Sequence, residues 1–141
     1  AARIGQHLHH EKTYACVEGP RLGSRAESFF LRDSAKCDLV GMTNVPEVFL
    51  AREAQMAYCC LCLVTDYDCW MDDPAQHVSV DKFFATYQGT LEKAQNVLSA
   101  LLQRPLRPTS DDIRHALMGA VLTPDDALTP EQQNWLGVLR R

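Results

Sequence analysis

Apolar and polar positions follow two rhythms along this 141-residue chain. Thr13 to Val17 are β-branched, aromatic or small, and Glu18-Gly19-Pro20 punctuates them, which predicts a short strand entering a loop. Ser24 precedes Arg25-Ala26-Glu27 and the apolar Phe29, Phe30 and Leu31, predicting a helix capped by serine and running to about Ser34. Cys37 to Met42 predicts a second strand. Pro46 and Glu47 suit the first turn of a helix reaching about Gln55, with Val48, Leu50, Ala51 and Ala54 on its apolar side. Ala57 to Thr65 is apolar on both alternating faces, the pattern of a central strand covered by helices on each side. After a long loop from Asp66 to Val78, Ser79 starts a helix to about Leu102, with Phe83, Phe84, Tyr87, Leu91, Ala94, Val97, Leu98 and Leu101 near helical spacing. Pro105 and Pro108 end it, and shorter helical patterns follow over Ser110 to Val121 and Pro130 to Arg140.

Strand, helix, strand, helix, strand, loop and long helix is the rhythm of an α/β domain with a partly parallel sheet. Three strands leave edges that a buried strand needs covered, so the pattern reads as one half of a larger sheet. A hydrophobic content of 46% suits a single packed domain, and a net charge of -4 gives no broad basic surface for nucleic acid or anionic lipid. The longest apolar stretch, Met56 to Val64, is far shorter than the roughly 20 residues of a membrane-spanning helix. Ala1 to His10 lacks the features of a secretory signal, which points to the cytoplasm. Cys16, Cys37, Cys59, Cys60, Cys62 and Cys69 are expected as free, buried thiols. A zinc site from Cys59, Cys62, Cys69 and His77 is the competing reading, weakened because Cys59 falls on the opposite strand face from Cys60 and Cys62. His7, His9 and His10 are expected at a solvated helix end.

Candidate chemistry gathers in three segments. Thr65-Asp66-Tyr67-Asp68-Cys69-Trp70 follows the apolar Ala57 to Thr65 run, at the end where open α/β sheets bind ligands. In an extended segment Asp66 and Asp68 point to the same side. Close like charges in a partly desolvated pocket favour protonation of one, and a protonated aspartic acid can donate to a ring nitrogen. Turn-forming or capping aspartates are the alternative. Gly41 to Glu47 ends a strand ahead of a helix start, where Thr43 and free N–H groups suit a phosphate and Glu47 suits sugar hydroxyls. Plain capping by Thr43 or Asn44, with Glu47 as first-turn acid, explains the same residues. Glu18 to Glu27 joins a strand to a helix through glycines that let backbone approach a ligand, or forms an ordinary βα loop.

The blocks EGPR and LGSRAES from Glu18, GMTNVPEVFLAREA from Gly41, TDYDCW from Thr65 and VSVDK from Val78 resemble, in order and spacing, the C-terminal half of methylthioadenosine phosphorylases of the purine nucleoside phosphorylase family. The resemblance runs from about Thr13 to Asp81. It implies a mixed sheet flanked by helices, incomplete without an N-terminal half, with residues 1–104 part of the α/β domain and 105–141 its helical extension. It implies phosphorolysis of 5′-methylthioadenosine to adenine and 5-methylthioribose 1-phosphate, within purine and methionine salvage. Asp66 would share a proton with purine N7, and Asp68 would accept from the 6-amino group, where 6-oxopurine enzymes carry asparagine. Met42 would lie along the ribose, Thr43 would contact phosphate, and Tyr67 would join the substrate site. Leu22 would lie beneath the base, Gly23 at a specificity position, and Val80 with Phe83 along the methylthio group. No cofactor or metal is implied, phosphate being the co-substrate; the expected partners are a second copy in a trimer or an N-terminal-half chain, with no nucleic acid and no membrane. The family's Gly-rich phosphate loop and Arg-His phosphate pair have no counterpart here, so a catalytically inactive nucleoside-binding or interaction module stays open beside the enzyme.

Overall fold

The first predicted strand forms β1 (Tyr14–Cys16) and the second forms β2 (Leu39–Gly41). They pair in parallel, with Tyr14 opposite Leu39, Ala15 opposite Val40 and Cys16 opposite Gly41. A Cβ at Gly41 would overlap the Tyr14 hydroxyl, so a larger residue there would require the Tyr14 side chain to move. Just before β2, the Asp38 carboxylate accepts from the Thr13 N–H at 2.9 Å and from Lys12 Nζ at 3.0 Å. This clip fixes the register where both strands begin. The Thr13 amide first, and Lys12 second, hold Asp38 below the usual carboxylate range. A depressed folded-state value means that the unfolded chain binds the proton more readily, so stability rises with pH. The contribution is complete above the ordinary aspartate value of about 4 and disappears as pH falls through the lower folded value. Denaturant midpoints measured from pH 6 to pH 2.5 are expected to fall less steeply in Asp38→Asn than in the parent. An identical pH profile for the two would show that the clip carries no stability.

Between the strands lies α1 (Arg25–Phe29), which widens into a π-type turn over Phe30–Ser34. Ser24 and Glu27 form a reciprocal capping box at its start, the arrangement that satisfies two otherwise unpaired amides. The computed structural model describes residues 5, 7–73 and 79–140. The chain divides into two units, Ala1–Met42 with Leu61–Pro105, and Thr43–Cys60 with Leu106–Arg141. In the first unit, α3 (Val80–Leu102) is the longest helix described, with the Ser79 hydroxyl accepting from the Lys82 N–H at 3.3 Å. Ala94 is buried on it, and Phe83 stacks on Tyr87 at 6.1 Å one turn away.

The second unit holds α2 (Glu47–Glu53), α4 (Asp111–Arg114) and α5 (Pro130–Leu139). Gln55 ties it together. Its Nε2 donates to the Leu139 carbonyl at 2.5 Å, and its Oε1 accepts from the Leu117 N–H at 3.2 Å. Leu136 is buried on α5, whose start carries a Thr129–Gln132 capping box.

Several expectations need correction. Ala57 to Thr65 is not a strand: β1 and β2 are the whole sheet among the described residues. A strand exists through its ladder, and this apolar run has no ladder partner there. The six cysteines are not buried: Cys59 and Cys60 are exposed, and Cys16, Cys37, Cys62 and Cys69 are half-buried. The helix expected to Val121 stops at Arg114 and continues as turns, because Gln55 takes the Leu117 amide out of the helical ladder. The cap of α2 is Pro46, without a side-chain hydrogen bond, in place of Thr43 or Asn44. His7, His9 and His10 lie outside any helix, with His7 and His9 edge to face at 4.7 Å. His77 and Val78, and with them the end of the long loop, fall outside the described residues.

Candidate active site

Because β1 and β2 are parallel, the segments that leave them emerge at one edge, the carboxyl end where open α/β sheets bind ligands. From β1 comes the Glu18 to Ser24 loop. Arg21 closes it by pairing with Glu27, with contacts of 2.7 and 2.9 Å, and this pairing holds Glu27 below the usual carboxylate range. From β2 comes Met42. A Cβ at Gly19 would sit 2.8 Å from the Met42 sulfur, so the loop and the Met42 side chain lie against each other.

The Asp66 to Trp70 segment reaches the same loop. The Cys69 thiol lies 3.8 Å from the Gly23 carbonyl oxygen, and α1 packs against the short 3₁₀ turn Asp68–Trp70. Burial pushes the Cys69 thiol up, and the Asp68 charge adds to it. The two aspartates are not arranged as in an extended strand. Asp66 Oδ1 accepts from the Asp68 N–H at 2.9 Å, and Asp66 Oδ2 accepts from the Thr65 hydroxyl at 2.7 Å. This Asx turn places Asp68 at φ +58, a conformation Asp tolerates better than most residues. Asp68 Oδ1 then accepts from the Cys69 N–H at 2.8 Å. The turn-forming reading therefore holds for both residues. Asp66 is exposed and Asp68 half-buried.

Tyr67 is exposed and meets Trp70 edge to face at 6.2 Å. Leu22, 81% exposed, and Val80, 71% exposed, present apolar surface to solvent, as does Phe83 at the start of α3. Thr43 is exposed ahead of α2 and belongs to the second unit. In that unit the Tyr58 hydroxyl donates to Glu47 at 3.2 Å, a partner the sequence reading did not anticipate. A cavity of about 320 Å³ is lined by Gln55, Arg114, His115, Leu117, Met118 and neighbours, none of them an expected site residue. Among the described residues no group of three His, Cys, Asp or Glu side chains could hold a metal ion. No described helix is long and apolar enough to cross a membrane.

Sequence reasoning missed the residues that hold the aspartate loop from outside. Arg25, Phe29 and Arg32 share one face of the α1 segment. Arg32 lies over the Trp70 ring at 4.4 Å, and Arg25 makes a two-pronged pair with Asp72. Their i, i+4, i+7 spacing was the available signal.

A parallel βαβ unit with glycine-bearing and carboxylate-bearing loops at its carboxyl edge defines an α/β ligand-binding domain. The chain belongs to the phosphorylase superfamily, whose family model matches residues 1–104. It is 43% identical over 114 residues to the S-methyl-5′-thioadenosine phosphorylase of Hyperthermus butylicus, covering 81% of this chain and 40% of that relative. A methylthioadenosine phosphorylase from an antarctic soil metagenomic library superposes with a TM-score of 0.63 at 38% identity, over 92% of this chain and 45% of that one. The Schistosoma mansoni methylthioadenosine phosphorylase in complex with adenine gives a TM-score of 0.63 at 32% identity, over 83% and 41% of the two chains. The expected family resemblance is borne out, and the fold is that of part of these enzymes. The chain spans about 40% of the length of the curated relatives.

Proposed function

We propose that this chain forms the base and ribose side of a methylthioadenosine phosphorylase site and part of its phosphate site. One observation carries the reading: the Gly19 to Gly23 loop, Met42 and the Asp66 to Cys69 turn converge at the carboxyl edge of the β1–β2 ladder. The likeness to methylthioadenosine phosphorylases supports the substrate. In the reaction, a phosphate oxygen forms a bond to C1′ as the bond from C1′ to the purine nitrogen breaks. The bonding electron pair leaves with the base, and N7 takes up a proton shared with Asp66. The products are adenine and 5-methylthioribose 1-phosphate. Asp68 accepts from the 6-amino group, Leu22 and Tyr67 flank the base, and Gly23 leaves space beside it. Met42 follows the ribose, Val80 and Phe83 take the methylthio group, and Thr43 donates to phosphate. Phosphate is a co-substrate, and no cofactor enters.

Residues 1–104 form part of the α/β domain and 105–141 its extension. The assembly is a trimer or a complex with an N-terminal-half chain, working in the cytoplasm in purine and methionine salvage. The test is release of adenine from methylthioadenosine by the intact phosphorylase carrying these residues, with and without inorganic phosphate. Adenine release that requires phosphate and yields the sugar phosphate is expected. Release in equal amount without phosphate, or none at all, removes the assignment.

A further inference from the structure

We propose that Arg32 is a positioning residue, clamping the Asp66 to Asp72 loop to α1 and so setting the geometry of the base-reading carboxylates. The inference rests on the site reading above. The Phe29 ring lies 5.1 Å from the guanidinium carbons of both Arg25 and Arg32. Arg32 in turn lies 4.4 Å from the centre of the Trp70 ring, and Trp70 meets Tyr67 edge to face. A continuous stack therefore runs from α1 to the residue between Asp66 and Asp68. Asp33 fixes the guanidinium by accepting from Arg32 Nε at 2.7 Å and Nη2 at 3.1 Å.

The other tie, Arg25 with Asp72, is a weaker candidate. Its side chains are 48% and 78% exposed, and exposed pairs add little and are screened by salt. Arg32 and Trp70 are both half-buried, and a planar guanidinium stacks on an indole in a way that an ammonium does not reproduce. The order of importance follows: Arg32 above Arg25, and arginine above lysine.

The chain has two tryptophans, so Trp135→Phe leaves Trp70 as its single indole reporter. Acrylamide quenching of that fluorescence reads the clamp, and titration with adenine reads the carboxylate geometry. Arg32→Ala is expected to make Trp70 about twofold more quenchable and to weaken adenine binding about tenfold, the scale of a partly desolvated cation–π contact. Arg32→Lys, which keeps charge and stem, should recover only part of both and carries the test if the alanine variant does not fold. Arg25→Ala should stay within about twofold of the parent in both readings. Unchanged Trp70 quenching in Arg32→Ala and Arg32→Lys shows there is no clamp. Raised quenching with unchanged adenine binding shows a clamp that positions nothing, and either result overturns the proposal. Absence of adenine binding at millimolar concentration in the intact phosphorylase carrying these residues instead rejects the base-site reading, and with it the positioning role.

Discussion

Asp66→Asn in the intact phosphorylase is expected to lower kcat by about 10²- to 10⁴-fold for methylthioadenosine and methylthioinosine alike, the usual worth of a positioned general acid. Asparagine has no transferable proton, yet it preserves the local fold. Its amide oxygen can still accept from the Asp68 N–H, and the Thr65 hydroxyl can rotate to accept from the amide nitrogen in place of donating. A large kcat loss with an unperturbed circular dichroism spectrum and melting temperature therefore isolates the chemical role. If kcat falls less than about fivefold for both substrates, Asp66 is a turn residue only.

Asp68→Asn should act on selection and not on the proton. An ionised Asp only accepts and suits an amino group, whereas an Asn amide can donate and suits a carbonyl oxygen. Leaving a polar group unpaired costs about 1–3 kcal/mol, so the preference for methylthioadenosine over methylthioinosine in kcat/KM should shift about five- to a hundredfold toward the latter. The substitution is structurally mild. Asparagine accepts φ +58 as readily as aspartate and keeps the bond from the Cys69 N–H. An unchanged adenine-to-hypoxanthine preference would remove Asp68 from the 6-position.

What could be read from the sequence was local. The capped start of α1 at Ser24, the cap of α3 at Ser79 and the Pro130 start of α5 all follow from residues within a few positions. β1 was legible because a β-branched and aromatic run ends at Gly19-Pro20, and β2 because the short apolar run around Leu39 and Val40 precedes the helix start at Pro46. The Ala57 to Thr65 run was misread because its apolar pattern states what a strand would bury and not whether a neighbouring strand is present to bond it. At the site, the turn-forming role of the two aspartates was legible as the alternative reading, and the shared side expected of an extended segment was not observed. The rule that alternate residues share a side assumes extended backbone, and the Asp66 side chain abolishes that by capturing the Asp68 amide. The Arg32–Trp70 contact joins residues far apart in the chain, and helical spacing on α1 alone could not name its partner.

The Asp38 clip joins the strands where they begin, whereas the Glu18 to Ser24 loop and Met42 of the candidate site leave them where they end. Strand alignment is thereby fixed at the end of the ladder opposite the candidate site. Exchanging the Gly19 to Gly23 or Asp66 to Cys69 segment for that of a relative with different base preference should then alter selectivity while the ladder keeps its alignment. This architecture lets new specificities arise by replacement of these segments, without a compensating change in the β1–β2 ladder.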